Sequence, residues 1–246
     1  MAGLYATGEA SCWDMHGFNR LGGNSLAETI VSGRLVGQRV AKSAAESSLE
    51  VGTRAANEAL SKAEQRAAEI LAREGDGPGA YEIRDAMAEV MIGKVGIFRT
   101  GEELATAVGE LKQLLADCDK IVLRSKVPGM NPELSFALRI KSMVRLSLIT
   151  AMGALARTES RGAHFRLDHP LRDDAKWLNR TLARWPDSAS EPDISYEPVG
   201  KLDVPPGHRG YGADERIEME QSIDEYNAQV EAGQTGQGKL PTEDAL

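Results

Sequence analysis

Apolar residues recur at three- and four-residue spacing through most of the first 160 positions, a pattern of helix rather than strand. Ser25-Leu26-Ala27-Glu28-Thr29-Ile30-Val31, continuing to Val40, predicts a helix whose first turn Asn24 or Ser25 can cap. The Ser25/Glu28 spacing also fits a reciprocal capping box. Thr53 to Arg73 predicts a second helix, with Ala56, Leu60, Ala63, Ala67, Ile70 and Leu71 at helical spacing. Gly75-Asp76-Gly77-Pro78-Gly79 breaks it. Tyr81 to Val95 then reads as a helix with Ile83, Met87, Val90 and Met91 on one face. Glu102 to Ile121 reads as another, with Glu102 and Glu103 at its positive end. Asn131-Pro132 opens the longest helix. Its apolar positions Leu134, Leu138, Met143, Leu146, Ile149, Met152 and Leu155 predict burial on more than one side. It is expected to end near Ser160-Arg161-Gly162, with Gly162 as the stop residue.

The two ends of the chain depart from this pattern. Residues 3–9 read as a short buried strand ending at Gly8, followed by a Gly- and Asn-rich loop from Ala10 to Asn24. A chain that opens on a strand running into such a loop predicts a fragment boundary at its N-terminus. Beyond Pro186 the sequence is rich in Pro, Gly and acids. Pro205 to Gly212 reads as a turn segment, and from about Gln229 the sequence reads as a mobile tail. The expected class is therefore mainly α: a strand–loop–helix piece over 1–42, an antiparallel helical bundle within 43–185, and an irregular extension over 186–246.

Charge and cysteine usage narrow the function. The formal net charge is -8, and the basic residues are scattered, so no nucleic-acid partner is expected. Cys12 and Cys118 give neither a disulfide framework nor a zinc spacing and fit a reducing, cytoplasmic compartment. His16, His164, His169 and His208 form no metal pattern. No signal peptide is expected from the first residues. The most apolar run, Leu146 to Ala156, falls short of the ~20 residues of a membrane helix, so any membrane association is expected through a partner.

Candidate chemistry concentrates between Gly8 and Leu26. Arg20 could clamp a carboxylate bidentately. Glu9, at a strand end, could accept hydrogen bonds from ribityl or ribose hydroxyls. Gly22-Gly23-Asn24-Ser25 entering a helix lets a bulky ligand approach backbone N–H groups, where negative charge is favoured. The same residues also serve a plain turn and cap, and a loop arginine or glutamate is commonly a solvated charge.

Gly3-Leu4-Tyr5-Ala6-Thr7-Gly8-Glu9 followed by His16-Gly17-Phe18-Asn19-Arg20-Leu21-Gly22-Gly23-Asn24-Ser25-Leu26 closely resembles the succinate dehydrogenase, fumarate reductase and L-aspartate oxidase flavoprotein family. Val95-Gly96-Ile97-Phe98-Arg99-Thr100 agrees with it. So does Glu159-Ser160-Arg161-Gly162-Ala163-His164 with Arg166, Asp168, Pro170, Arg172-Asp173-Asp174 and Trp177-Leu178. The resemblance covers residues 3 to about 185 and makes 1–42 the end of an FAD-binding domain. It implies that Arg20 binds a substrate carboxylate, that Glu9 binds the FAD ribityl region, and that Ser25 and Leu26 contact the flavin ring. It further implies interconversion of fumarate and succinate by hydride transfer from or to FAD, fed by an iron–sulfur subunit. Membrane contact would come only through an anchor subunit, leaving the flavoprotein cytoplasmic and peripheral to the inner membrane. Arg161, Arg166, Arg172 and Asp173-Asp174 are expected to tie the bundle to the flavin domain, or to dock the iron–sulfur subunit, rather than to act in catalysis.

No G-x-G-x-x-G occurs anywhere in the sequence, so no dinucleotide-binding turn is present. Among this chain's residues none is expected to be catalytic and none to ligate a metal. FAD is expected to bind only to the complete subunit, and this chain alone to lack turnover. An L-aspartate oxidase fragment and a non-catalytic helical docking module are the competing readings.

Overall fold

The computed structural model describes residues 3–11, 16, 20–46, 53–127, 129–186, 189–200, 217–219, 227–228 and 231–232. The chain divides into two compact units, Met1–Ala63 and Glu64–Leu246.

In the first unit, residues 4–7 belong to no regular element and are exposed. The strand expected there is absent, because a strand needs a neighbour to satisfy its backbone and no strand is described in this unit. A single 3-10 turn, Gly8–Ser11, follows. Helix α1 spans Asn24–Glu46, and α2, Thr53–Ala72, carries the division between the units.

The second unit is built on three further helices whose ends the sequence marks. Helix α3 is Ala80–Lys94, where Glu82 Oε2 accepts from the Gly79 N–H at 3.0 Å. Strand β1 (Phe98–Arg99) precedes α4, Gly101–Asp117, which Thr100 Oγ1 caps by accepting from Glu103 N. The last turn expected for this helix is a separate 3-10 turn, Cys118–Lys120. Helix α5, Pro132–Ala156, starts with Asn131 Oδ1 accepting from Leu134 N at 3.0 Å and Pro132 in its first turn.

The core lies between these helices. Ile83, Met87 and Val90 of α3 meet Leu104, Ala107 and Leu111 of α4 and a stripe of α5 made of Ala137, Ile140, Val144, Leu148 and Ala151. That α5 stripe is not the one suggested by its larger side chains. Leu134, Leu138, Met152 and Leu155 flank it, and Leu146 is exposed. Small and β-branched residues let the helices approach closely, so the line of nearest contact follows them.

Helix α5 also ends earlier than expected, at Ala156. Gly162 is not its stop residue. It sits at φ +56° inside a tight turn closed by Arg161 and His164, which exchange both backbone hydrogen bonds at 2.8 and 2.9 Å. Strand β2 (Phe165–Arg166) then pairs in parallel with β1. Strand β3 (Arg172–Asp173) and the single turn α6 (Asp174–Trp177) lead into β4, Asn179–Arg184.

Strand β4 pairs antiparallel with β5, Asp193–Pro198, from Asn179↔Pro198 to Arg184↔Asp193. The extension beyond Pro186 is thus not irregular throughout. Ile194 and Tyr196 turn inward onto Trp177, forming a small second core. Strand β6, Ile217–Met219, pairs in parallel with β3. The expected turn over Pro205–Gly212 and most of the expected tail lie outside the described residues.

Candidate functional site

Gly8 holds the first candidate site together. It is buried at φ +66°, and a Cβ there would lie 2.9 Å from Thr29 Cγ2, so only glycine lets the 3-10 turn sit against α1. Thr7 Oγ1 donates to Ser32 Oγ at 2.8 Å, and Ser11 Oγ donates back to Gly8 O at 2.6 Å. Glu9 rides on this turn with its carboxylate exposed.

Arg20 is exposed and stands four residues ahead of α1. Gly22 and Gly23 follow, with open space where a Cβ would stand and Gly23 at φ +82°. Ser25 is half-buried in the first turn of α1, and Leu26 is exposed beside it. The structure therefore brings the turn of Glu9 against the helix that starts with Ser25 and Leu26. Among the described residues no hydrogen bond or ion pair joins the side chains of Glu9, Arg20, Ser25 and Leu26, and the charges of Glu9 and Arg20 have no partner.

Glu28 behaves differently from the capping-box expectation. Its Oε2 lies 3.4 Å from His16 Nε2, and its Oε1 is buried with no hydrogen-bond partner. The carboxylate has turned away from the Ser25 backbone into an apolar cleft of about 510 Å³, which Ala27, Val31 and Leu35 also line. Sequence reading missed this, because a glutamate three residues after a serine reads as a cap.

The second candidate is the charged cluster between α5 and β4. Glu159 is fully buried. It accepts from Arg157 Nη1 and Arg161 Nε at 2.7 Å each, from Arg161 Nη2 at 3.0 Å, and from the Asp173 N–H at 2.8 Å. Asp174, also buried, takes Arg161 Nη2 at 2.6 Å and pairs with Arg172. Burial pulls the Arg161 pKa down, but its hydrogen bonds and charge interactions with Glu159 and Asp174 outweigh that, leaving it raised.

Arg166 is buried across the C-terminal end of α5. Its Nη1 donates to the carbonyls of Ala154, Leu155 and Arg157, the groups a helix end leaves unpaired. Its Nε and Nη2 hold Asp168 bidentately at 2.8 and 2.7 Å, and Asp168 Oδ2 accepts from the Gly101 N–H at the start of α4. The Arg166 hydrogen bonds hold the Asp168 carboxyl well below the usual carboxylate range, against the opposing effect of burial and with help from the Gly101 N–H and the Arg166 charge.

Arg99 Nη1 lies 2.7 Å from His164 Nδ1. A guanidinium can only donate, so Nδ1 is the acceptor and the ring proton sits on Nε2, which donates to Arg157 O at 3.2 Å. Burial first, then the charges of Arg99, Arg157 and Arg166, lower the His164 pKa to about 4 despite that carbonyl. These groups satisfy one another within the second unit. Within this unit they bind the ends of α4 and α5 to the strand segments that follow.

Comparison with known proteins agrees with this division. A family model described as fumarate reductase flavoprotein C-term matches residues 84–211, and one described as FAD binding domain matches residues 1–26. The chain is 46% identical over 215 residues to the fumarate reductase flavoprotein subunit of Helicobacter pylori, a match covering 86% of this chain and 30% of that subunit. Among solved structures, an Escherichia coli quinol fumarate reductase chain superposes with a TM-score of 0.75 at 35% identity, over 86% of this chain and 36% of that one. The Sdh1 complex of Mycobacterium smegmatis gives 0.70 at 29% identity, over 82% and 33%. The chain thus spans about a third of the length of these relatives. The matches lend no support to the L-aspartate oxidase alternative.

Proposed function

The chain belongs to the fumarate reductase flavoprotein C-terminal family, and we propose that it forms part of a flavoprotein subunit that interconverts fumarate and succinate. The coincidence that carries this reading is local. The FAD-binding-domain match, residues 1–26, falls on the segment where Glu9 and Arg20 have no partner among the described residues and where the N-terminus of α1 stands open behind Gly22 and Gly23.

These residues fit an FAD. Glu9 accepts hydrogen bonds from the ribityl hydroxyls. The first turn of α1, with Ser25 and Leu26, presents unpaired N–H groups and an apolar side chain to the flavin ring. Arg20 holds one substrate carboxylate through its two-pronged guanidinium and draws negative charge toward that end of the alkene. Bound FAD supplies the hydride chemistry. The groups that complete the site belong to the part of the subunit this chain does not cover. The charged cluster around Glu159 fixes the helical bundle and takes no part in the chemistry. An iron–sulfur subunit is the proposed electron partner, and an anchor subunit the proposed link to a membrane. Among the described residues no helix is long and apolar enough to cross one.

An absorption spectrum of this chain with and without added FAD tests the reading first. Weak or no flavin binding is expected, and stoichiometric binding would show that the chain completes its own site. In a reconstituted full-length subunit, Arg20→Ala should raise the fumarate KM and lower kcat/KM by about 10²–10³-fold, as loss of a charged carboxylate contact does. Unchanged turnover and affinity would remove Arg20 from the site.

A further inference from the structure

A group of charges that neither candidate site uses lies where α4 and α5 meet the connection between β4 and β5. Lys112, Leu115 and Ala116 stand on one face of α4, and Lys141 and Arg145 on one face of α5, each set at helical spacing. Together with Asp119 of the 3-10 turn and Trp185, Ala189 and Glu191 of the connection, they line a pocket of about 340 Å³. Both lysines are paired there. Lys112 Nζ lies 2.6 Å from Glu191 Oε1, and Lys141 Nζ donates to the two Asp119 oxygens at 2.5 and 2.7 Å.

Arg145 is the exception. Its guanidinium carbon lies 5.0 Å from the centre of the Trp185 ring, and among the described residues no carboxylate pairs with it. Its Nε is buried without an acceptor, beyond the reach of bulk water. A ring face attracts the charge but leaves that N–H unsatisfied. Nor does the indole N–H reach into the pocket, because it donates to Ala189 O at 2.9 Å and closes the turn. Three cations thus face two carboxylates, and the uncompensated positive charge is the forked one. A guanidinium fork matches the two coplanar oxygens of a carboxylate, and a single carboxylate balances the one excess charge, which a phosphate dianion would overshoot. Leu115, Ala116 and Ala189 make part of the wall apolar, which suits a short hydrocarbon body.

We propose that this pocket binds a small organic monocarboxylate, with its oxygens on Arg145 and its hydrocarbon against Leu115 and Ala189. The site stands apart from the flavin reading and needs neither FAD nor fumarate.

Butyrate titrated into the whole chain tests this by NMR at the Arg145 Nε–H signal, which Arg145→Lys identifies by its disappearance. A saturable shift with a Kd on the order of 1 mM is expected. Butyramide, of the same shape without the charge, should not bind, and sodium chloride at equal ionic strength should not reproduce the shift. Saturation transfer to the butyrate protons reads the variants. Arg145→Lys, and Ala189→Leu, which narrows the pocket and alters no charge, should each weaken binding by about tenfold or more, with helix content unchanged by circular dichroism. The absence of a saturable shift, equal binding of butyramide, or indifference to both variants overturns the proposal. Inorganic phosphate bound more tightly than butyrate overturns the choice of a carboxylate. Binding that appears only in Asp187→Asn also overturns it. Asp187 lies outside the described residues and would then be the chain's own partner for Arg145.

Discussion

Helices α1 and α5 are of similar length and both carry apolar residues on more than one face, yet the protein treats them in opposite ways. Seven side chains of α5 are buried, all of them apolar. In α1 one is buried, and it is the carboxylate of Glu28, while Leu26, Ile30 and Leu35 stand in water. That inverts the usual order, in which glutamate is among the last residues to be buried. Covering each large apolar side chain of α1 would contribute about 1.5–3 kcal/mol, most of which Leu26, Ile30 and Leu35 forgo among the described residues. The contrast teaches that amphipathic pattern tells which helices require cover, whereas only the fold tells whether the cover is supplied within the chain.

Substitutions can break or sharpen this contrast. The largest effect is expected at the cluster that closes the bundle. Glu159→Ala leaves Arg157 and Arg161 half-buried without their shared carboxylate and should cost about 3–5 kcal/mol in urea unfolding. Next comes the middle of α5. Leu148→Ala opens a void in a fully buried stripe and should cost about 3 kcal/mol by the same measurement.

His164→Gln should act through pH. The folded pKa near 4 lies below the ~6.5 of an unfolded histidine, so the unfolded chain takes up the proton first as pH falls. The contribution is complete above about pH 6.5 and drains away toward pH 4, on the order of 2 kcal/mol after allowance for partial solvent access. The wild type should therefore lose stability between pH 6.5 and 5, and the variant should lose much less. Asp168 works in the same direction at lower pH. Its depressed pKa gives a contribution that is present above the ordinary carboxylate range and lost as pH falls through and below it. The smallest effect is expected on α1, where Leu35→Ser should change the unfolding free energy of the free chain by less than about 0.5 kcal/mol. A cost near that of Leu148→Ala would mean that α1 is already covered, and the contrast would collapse.

Much of the fold was legible in the sequence where a local signal coincided with the final packing. Glu102, Glu103, Asn131 and Pro132 mark helix starts by charge, local hydrogen bonding and ring geometry, and the structure keeps all four in a cap or first turn. The buried stripe of α5 was not legible, because Ala137 and Ala151 carry little apolar area and become central only when another helix comes close. Strand β5 had a usable signal in the alternation Asp193-Ile194-Ser195-Tyr196-Glu197, which nearby prolines and acids obscured. Glu159 carried no signal of burial, since an acid beside arginines and glycine reads as a solvated loop. For the candidate site, Glu9, Arg20, Ser25 and Leu26 were found through motif resemblance. The bond chemistry that positions their segment, Gly8 against Thr29 and Glu28 beside His16, follows only from coordinates.

The Arg166–Asp168 pair has a consequence for the order of folding events. It joins the end of α5 to the start of α4 across 67 residues of sequence, from Gly101 to Asp168. Such a distant closure is entropically slow compared with helix formation, so the pair is expected to form after the rate-limiting step. An interaction absent from the transition state governs how fast the native protein opens, not how fast it forms. In stopped-flow measurements Asp168→Asn should steepen neither limb of the chevron and leave the refolding rate in place, while unfolding accelerates. The loop after α5 then acts as a clasp that sets the lifetime of the folded bundle.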